Sequence, residues 1–198
     1  MEKELTPRLA EAKAGKRTVY FADAAHFVCG CFLGYTWSIT RRFIPTMSGR
    51  KRYNVLGAIN AITHDLCCYC NETYINLLSV CDLLTMIKSI CDNNNPITVI
   101  MDNAKYQRCS MVKELALKLN IELFFLPSYS PNLNIIERYW KWLKKDCLNC
   151  KYYETFADFK NAIDSSLSKI IQHEYKAAFD SLLQLNFQLY DNAYYNRV

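Results

Sequence analysis

Apolar residues along this chain recur first at every second position and later at every third or fourth, so the two halves predict different elements. Arg17 to Ala24 (RTVYFADA), Tyr35 to Ile44 (YTWSITRRFI) and Arg52 to Ile62 (RYNVLGAINAI) are rich in β-branched and aromatic residues and read as strands. Connections holding Gly30, Gly34, Ser48 and Gly49 separate them, which predicts an antiparallel meander. In the third stretch Val55, Gly57 and Ile59 fall on one face and Leu56, Ala58 and Asn60 on the other, as expected of a strand covered on both sides.

From Glu72 to Asp92 the period changes: Tyr74, Leu77, Leu78, Cys81, Leu84, Ile87 and Ile90 recur at helical spacing, and DNNNP ends the run. Ile97 to Met101 (ITVIM) is an uninterrupted apolar run suited to a buried parallel strand. Gln107 to Asn120 reads as a second amphipathic helix and Ile121 to Leu126 as a fifth strand. A helix capped by Asn134 comes next, then a long C-terminal helix marked by Phe156, Phe159, Ile163, Leu167, Ile170 and Ile171. This order predicts an α/β fold with a mixed five-stranded sheet, three strands antiparallel and the last two parallel, flanked by helices. Residues 1–16 read as a leader segment, a short polar helix or a loose arm, ahead of one domain over 17–198.

Composition narrows the class. With 51% hydrophobic and 22% charged residues among 198, a packed globule is expected and a disordered chain excluded. The longest tempting charge-free stretch, His26 to Thr40, is shorter than the roughly 20 apolar residues of a membrane span. MEKELTPRLAEAKAGKR lacks the apolar core of a signal peptide, so a cytoplasmic location with reduced thiols is expected. Most of the ten cysteines then act as small buried hydrophobes; only Cys147 and Cys150 have CxxC spacing, without a second pair to complete a zinc site. The net charge of +5 leans toward anionic partners, and it is concentrated at SGRKRY (48–53) and KWLKK (141–145).

Three carboxylates stand where a sheet would gather them. Asp102 directly follows ITVIM, at the carboxyl end of a strand, where crevices of open α/β sheets lie, although an Asp-Asn turn also accounts for it. Asp23 sits between Phe21 and Phe27 in a predicted central strand, where a carboxylate needs a metal or a partner such as His26. Glu137 falls in the first turn of a helix, either as half of a capping box with Asn134 or as an ionised ligand beside the helix N-terminus. Gathered in one crevice, the three would need a compensating charge such as a pair of magnesium ions.

FADAAHF, MDNAKYQ and LPSYSPNLNIIERYWKWLKK resemble, in that order, the three catalytic blocks of insertion-sequence transposases related to the mariner superfamily. The third block, YSPxLNxIExxW, is the most specific, and the 34 residues between Asp102 and Glu137 are similar to the spacing of the bacterial branch. The likeness runs from about Arg17 to Tyr153. It implies a ribonuclease H-like catalytic domain in which Asp23, Asp102 and Glu137 bind two Mg2+ or Mn2+ ions for DNA strand cleavage and strand transfer. It further implies action on element ends and target DNA as a homodimer. Gln107 stands where many relatives have histidine, and Ile135 where they often have proline. The helix-turn-helix that recognises transposon ends in relatives has no counterpart in the first 16 residues, so a separately encoded recognition subunit is a possible partner. Arg50, Lys51, Arg52, Lys105, Arg108, Lys141, Lys144 and Lys145 are candidate DNA contacts by charge. A catalytically silent nucleic-acid-binding relic and another ribonuclease H-like nuclease are the alternative readings.

Overall fold

The computed structural model describes residues 2–30, 37–41, 43, 51–91, 95–127, 133–149, 151–172 and 174–185. Five strands form one sheet: β1 (Thr18–Val28), β2 (Arg52–Asn60), β3 (Leu66–Asn71), β4 (Ile97–Met101) and β5 (Ile121–Phe125), in the order β3-β2-β1-β4-β5. β1 lies in the middle, antiparallel to β2 and parallel to β4; β2 pairs antiparallel with β3, and β4 parallel with β5. The helices are α1 (Glu2–Lys13), α2 (Leu77–Ile90), α3 (Ser110–Lys118), α4 (Ile135–Leu148), α5 (Phe156–Ile171) and α6 (Lys176–Leu182).

The period-two alternation divides the core into two layers. Val19, Phe21, Ala25 and Phe27 of β1, with Val55 and Ile59 of β2 and Ile100 of β4, pack against α1, α4, α5 and α6. Tyr20, Ala22, Leu56, Ala58, Val99 and Met101 pack against α2 and α3. β2 is accordingly buried from Tyr53 to Ile59, as its sequence predicts. The N-terminal segment is a helix whose Leu5, Leu9 and Ala12 are buried in the first layer.

Two expectations are corrected. Within the strand expected at Tyr35 to Ile44, residues 37–41 and 43 are unpaired, with Trp37, Ile39 and Phe43 exposed; the remaining positions lie outside the described residues. The third antiparallel strand is instead LCCYCN, Leu66–Asn71. Pairing partners decide the matter over propensity: directly after β2, a five-residue turn folds the chain back along the free β2 edge. In that turn Asn60 Oδ1 accepts from the N–H groups of Ile62 and Thr63, and His64 adopts a positive φ of 62°. The helix expected from Glu72 begins only at Leu77, because the Asn76 side chain accepts from the N–H groups of Leu78 and Ser79 and caps it there.

Candidate active site

Strand register brings the first two carboxylates side by side. Ala22 pairs with Met101 across the parallel β1/β4 ladder, so Asp23 and Asp102 occupy the next positions of adjacent strands. Both continue the parity of residues facing α4, Phe21 on β1 and Ile100 on β4. Helix α4 crosses this same face and carries Glu137 in its first turn. All three therefore come to one side and one end of the sheet.

Gly57 lets the helix approach so closely. It is the β2 partner of Asp23, and a Cβ there would lie 2.7 Å from Trp140 Cη2, 2.9 Å from Cζ2 and 3.4 Å from the Ile136 Cδ1. Trp140 is buried and packs edge-on against Tyr139 at a centroid distance of 5.0 Å, the packing role its place three residues past Glu137 suggests. Its indole Nε1 has no hydrogen-bond partner at normal geometry, yet it is near enough to Asp23 to favour the ionised carboxylate.

The electrostatics record crowding of like charge. Burial pushes the Asp23 carboxyl up to about 7; the Ala24 N–H opposes this, and the charges of Asp102 and Glu137 add to it. Glu137 is raised by burial and then by Asp102, while Lys144 pulls it back. Tyr106, on the short 3-10 turn Lys105–Gln107 beyond β4, is raised by burial and next by the Asp23 charge, which places it beside the same crevice. Among the described residues no three His, Cys, Asp or Glu side chains are already gathered closely enough to hold a metal ion.

The capping explanation for Glu137 is not what the structure shows. Asn134 occupies the N-cap position, but its side chain makes no capping bond; only the backbone Glu137 N–H to Asn134 O bond, 3.2 Å, closes the turn. The buried Asn134 amide turns to the sheet, where Nδ2 is 3.4 Å from both the Ala22 carbonyl and Asp102 Oδ1, while its Oδ1 has no partner among the described residues. Sequence pattern could not separate the two, because a cap and a strand-end tether use the same side chain. His26 likewise does not pair with Asp23: it alternates to the other face and its Nδ1 is 2.7 Å from Asn54 Oδ1. Gly57, Tyr106 and the tether made by Asn134 went unread in the sequence, since each depends on what lies across the sheet.

The basic candidates divide. Lys105 and Arg108 are exposed just beyond β4, and Lys141 and Lys145 are exposed on α4. Lys144 is half-buried, its Nζ 5.8 Å from the Phe27 ring centre, on the same helical stripe as Glu137 and Trp140. Lys51 and Arg52 are exposed at the start of β2, with Lys51 Nζ 5.5 Å from the Phe156 ring centre; Arg50 lies outside the described residues.

The model of the family described as DDE superfamily endonuclease matches residues 18–160, which include all three carboxylates. The chain belongs to the DDE superfamily endonucleases. Among solved structures, the chain is similar to the Mos1 mariner paired end complex with Mn, with TM-score 0.62 and 12% identity over 96% of the chain and 61% of that one. It is similar to the catalytic domain of Mos1 mariner transposase, with TM-score 0.59 and 10% identity over 96% of the chain and 91% of that domain. A simian T-cell lymphotropic virus intasome matches with TM-score 0.53 and 15% identity over 77% of the chain and 47% of the viral one. At such identities the likeness establishes the fold: the ribonuclease H-like sheet of transposase catalytic domains. The chain thus spans between about half and three-fifths of the longer chains, 47% and 61% of their lengths. No curated protein sequence matches it. No helix among the described residues is long and apolar enough to cross a membrane.

Proposed function

We propose that this endonuclease domain is the catalytic core of a DNA transposase, cutting strands at element ends and joining the freed 3′-hydroxyl to target DNA, with Asp23, Asp102 and Glu137 holding two Mg2+ or Mn2+ ions. The observation that carries the proposal is the arrival of three carboxylates from three separate elements at one end and one face of the sheet. Burial and mutual repulsion there raise Asp23 to about 7. Such a site favours either a proton or a cation. The donors are hard oxygens, which suit magnesium and manganese better than softer metals. A cation bound between the carboxylates would offset their mutual repulsion.

Bound divalent ions supply the positive charge that in-line phosphodiester displacement needs at its attacking and departing oxygens. The residues of the chain hold and orient: Asp23 is set in the central strand, Asp102 just past the end of its neighbour, and Glu137 on a helix packed on the sheet through Trp140. Lys144 sits about two helical turns beyond Glu137 on the same stripe and, with Lys51, Arg52, Lys105, Arg108, Lys141, Lys145 and Arg50, would hold phosphates by charge. The Mos1 relatives support this reading: they were solved as paired-end complexes with Mn and with Mg and as a strand transfer complex. A homodimer, and a separate recognition subunit, belong to the same proposal.

The test is Asp102→Asn, an isosteric change. With Mg2+ and a DNA duplex, nicking and strand transfer fall to background in the variant while its melting temperature is not lowered. Undiminished activity would remove Asp102 from the mechanism. Millimolar cation raises the melting temperature of the unaltered chain by mass action, whereas a silent relic would not respond.

A further inference from the structure

One ring donor beside the acidic crevice is buried and left unpaired. Trp140 stands one turn past Glu137 on α4, on the face turned to the sheet, and is 4% exposed. The outer edge of its six-membered ring lies over Gly57: a Cβ there would meet Cη2 at 2.7 Å and Cζ2 at 2.9 Å. Gly57 is paired with Asp23 across the antiparallel β1/β2 ladder, and residues so paired present their side chains to the same face with Cβ positions about 4.5–5.5 Å apart. The ring therefore fills the space that a side chain at position 57 would take, next to the Asp23 side chain. Cζ2 is bonded to the ring carbon that carries Nε1, so the N–H leaves the indole from this same edge. That N–H is shielded from solvent and has no hydrogen-bond partner among the described residues.

We propose that the Trp140 indole N–H orients the Asp23 carboxylate for its cation, which makes Trp140 a positioning residue of the metal site as well as the packing contact of α4. The inference rests on the reading that Asp23 holds a divalent ion. A buried donor left unpaired is costly, and Asp23 is an acceptor within its reach: the indole favours the ionised form of that carboxyl, in the same sense as the Ala24 N–H. A carboxylate that binds a metal gives one lone pair to the ion and keeps others for donors that fix its orientation. A neutral donor suits the task. It steadies the negative oxygen, whereas an ammonium or guanidinium in the same place would neutralise Asp23 and repel the cation.

The neighbouring carboxylate is held in the same manner. Asn134, at the N-cap of α4, is 1% exposed and sets Nδ2 3.4 Å from Asp102 Oδ1. Two uncharged N–H donors from the first turns of one helix thus face the two strand carboxylates, and Glu137 lies between them along the chain. Packing against Gly57 gives no reason for the nitrogen, since a ring of carbon alone would fill the same space without burying a donor.

The experiment replaces Trp140 in the full chain with β-(3-benzothienyl)alanine, which keeps the bicyclic shape and puts sulfur where the N–H stood. Melting temperature is followed against Mg2+ concentration for this variant and for the unaltered chain. The half-saturating Mg2+ concentration should rise by about 10-fold or more, the usual cost of losing a ligand's outer support, while the melting temperature in chelator is not lowered. A residue that only packs would leave the affinity where it was. Trp140→Phe supplies a second variant: it should lose the same affinity and, because it leaves a cavity, also melt lower in chelator. In the isotope-labelled unaltered chain the indole N–H resonance that Trp140→Phe removes should move downfield as Mg2+ saturates, while those of Trp37 and Trp142 stay in place. Equal Mg2+ affinities of the unaltered and benzothienyl chains, or an indole resonance that Mg2+ leaves unmoved, would overturn the role of Trp140 alone. If Mg2+ at millimolar concentration fails to stabilise even the unaltered chain, the metal reading itself is wrong and this inference goes with it.

Discussion

At the scale of single residues, the acidic crevice sets function against stability. The native chain keeps a proton on Asp23 up to about pH 7, whereas in an unfolded chain an aspartate loses it near about 3.9. Between those values the folded state binds more protons than the unfolded one, so metal-free stability falls as pH rises through the window. Asp23→Asn removes the buried charge and its repulsion with Asp102 and Glu137. The variant should melt higher than the unaltered metal-free chain at pH 7, show a flatter melting profile between pH 4 and 7, and cleave no DNA. Thermal melts across that range in chelator check this; a variant that melts lower would mean the carboxylate is already well partnered. Asn134 acts one step removed, through the Asp102 oxygen 3.4 Å from its Nδ2. Asn134→Ala should raise the Mg2+ concentration for half-maximal cleavage by about 10-fold or more, the usual cost of losing a ligand's outer support, and saturating cation should restore much of the rate. A rate deficit that no cation concentration repairs would instead assign Asn134 a purely structural role.

At the scale of elements, β2 and α4 are fitted to each other at one point. Alanine normally suits a strand interior better than glycine by about 0.5–1 kcal/mol, so the sign of Gly57→Ala is decided by the ring facing it. That ring is held by Tyr139 behind it and cannot swing aside freely. Overpacking of this kind costs about 1–3 kcal/mol, which is a melting-temperature loss of about 2–12 °C at this chain length. The same shift moves α4 outward with Glu137, so cleavage should fall as well; a melting temperature that rises would show that the helix has slack. Such couplings explain which parts of the fold were legible. β2, β4, β5, α5 and the carboxylate positions could be read because each depends on local periodicity or on a strand end. β3 could not, because LCCYCN has little strand propensity and becomes a strand only by completing the β2 edge. YTWSITRRFI has the propensity, but its described residues carry no strand pairing. The side-chain partner of Asn134 was invisible for the same reason as Gly57: each is defined by a neighbour more than 30 residues away in sequence.

At the scale of the whole molecule, the first helix is tied to the last strand by charge as well as by burial. Glu122 on β5 accepts from Arg8 Nε at 3.1 Å, from Arg17 Nη1 at 2.7 Å and from the Thr98 hydroxyl at 2.8 Å, and Arg17 Nε also reaches Glu11 at 2.6 Å. The hydrogen bond from Arg8, chiefly, holds the Glu122 carboxyl down at about 2. Its folded value is depressed below the unfolded one near about 4.3, so its contribution is fully present above that value and is lost as pH falls toward 2. Glu122 is 38% exposed, and solvent and salt screen part of this attraction. Buried Leu5, Leu9 and Ala12 therefore do most of the holding, while the charges fix where α1 lies. Glu122→Gln should lower the melting temperature slightly at pH 7, remove part of the acid sensitivity between pH 4 and 2, and speed amide exchange in α1 more than in α4. Leu9→Ala, which opens a cavity under the same helix, should cost about 2–5 kcal/mol at any pH. If the two variants lower stability equally at neutral pH, the ionic tie is as important as the buried face, and the division of labour argued here is wrong.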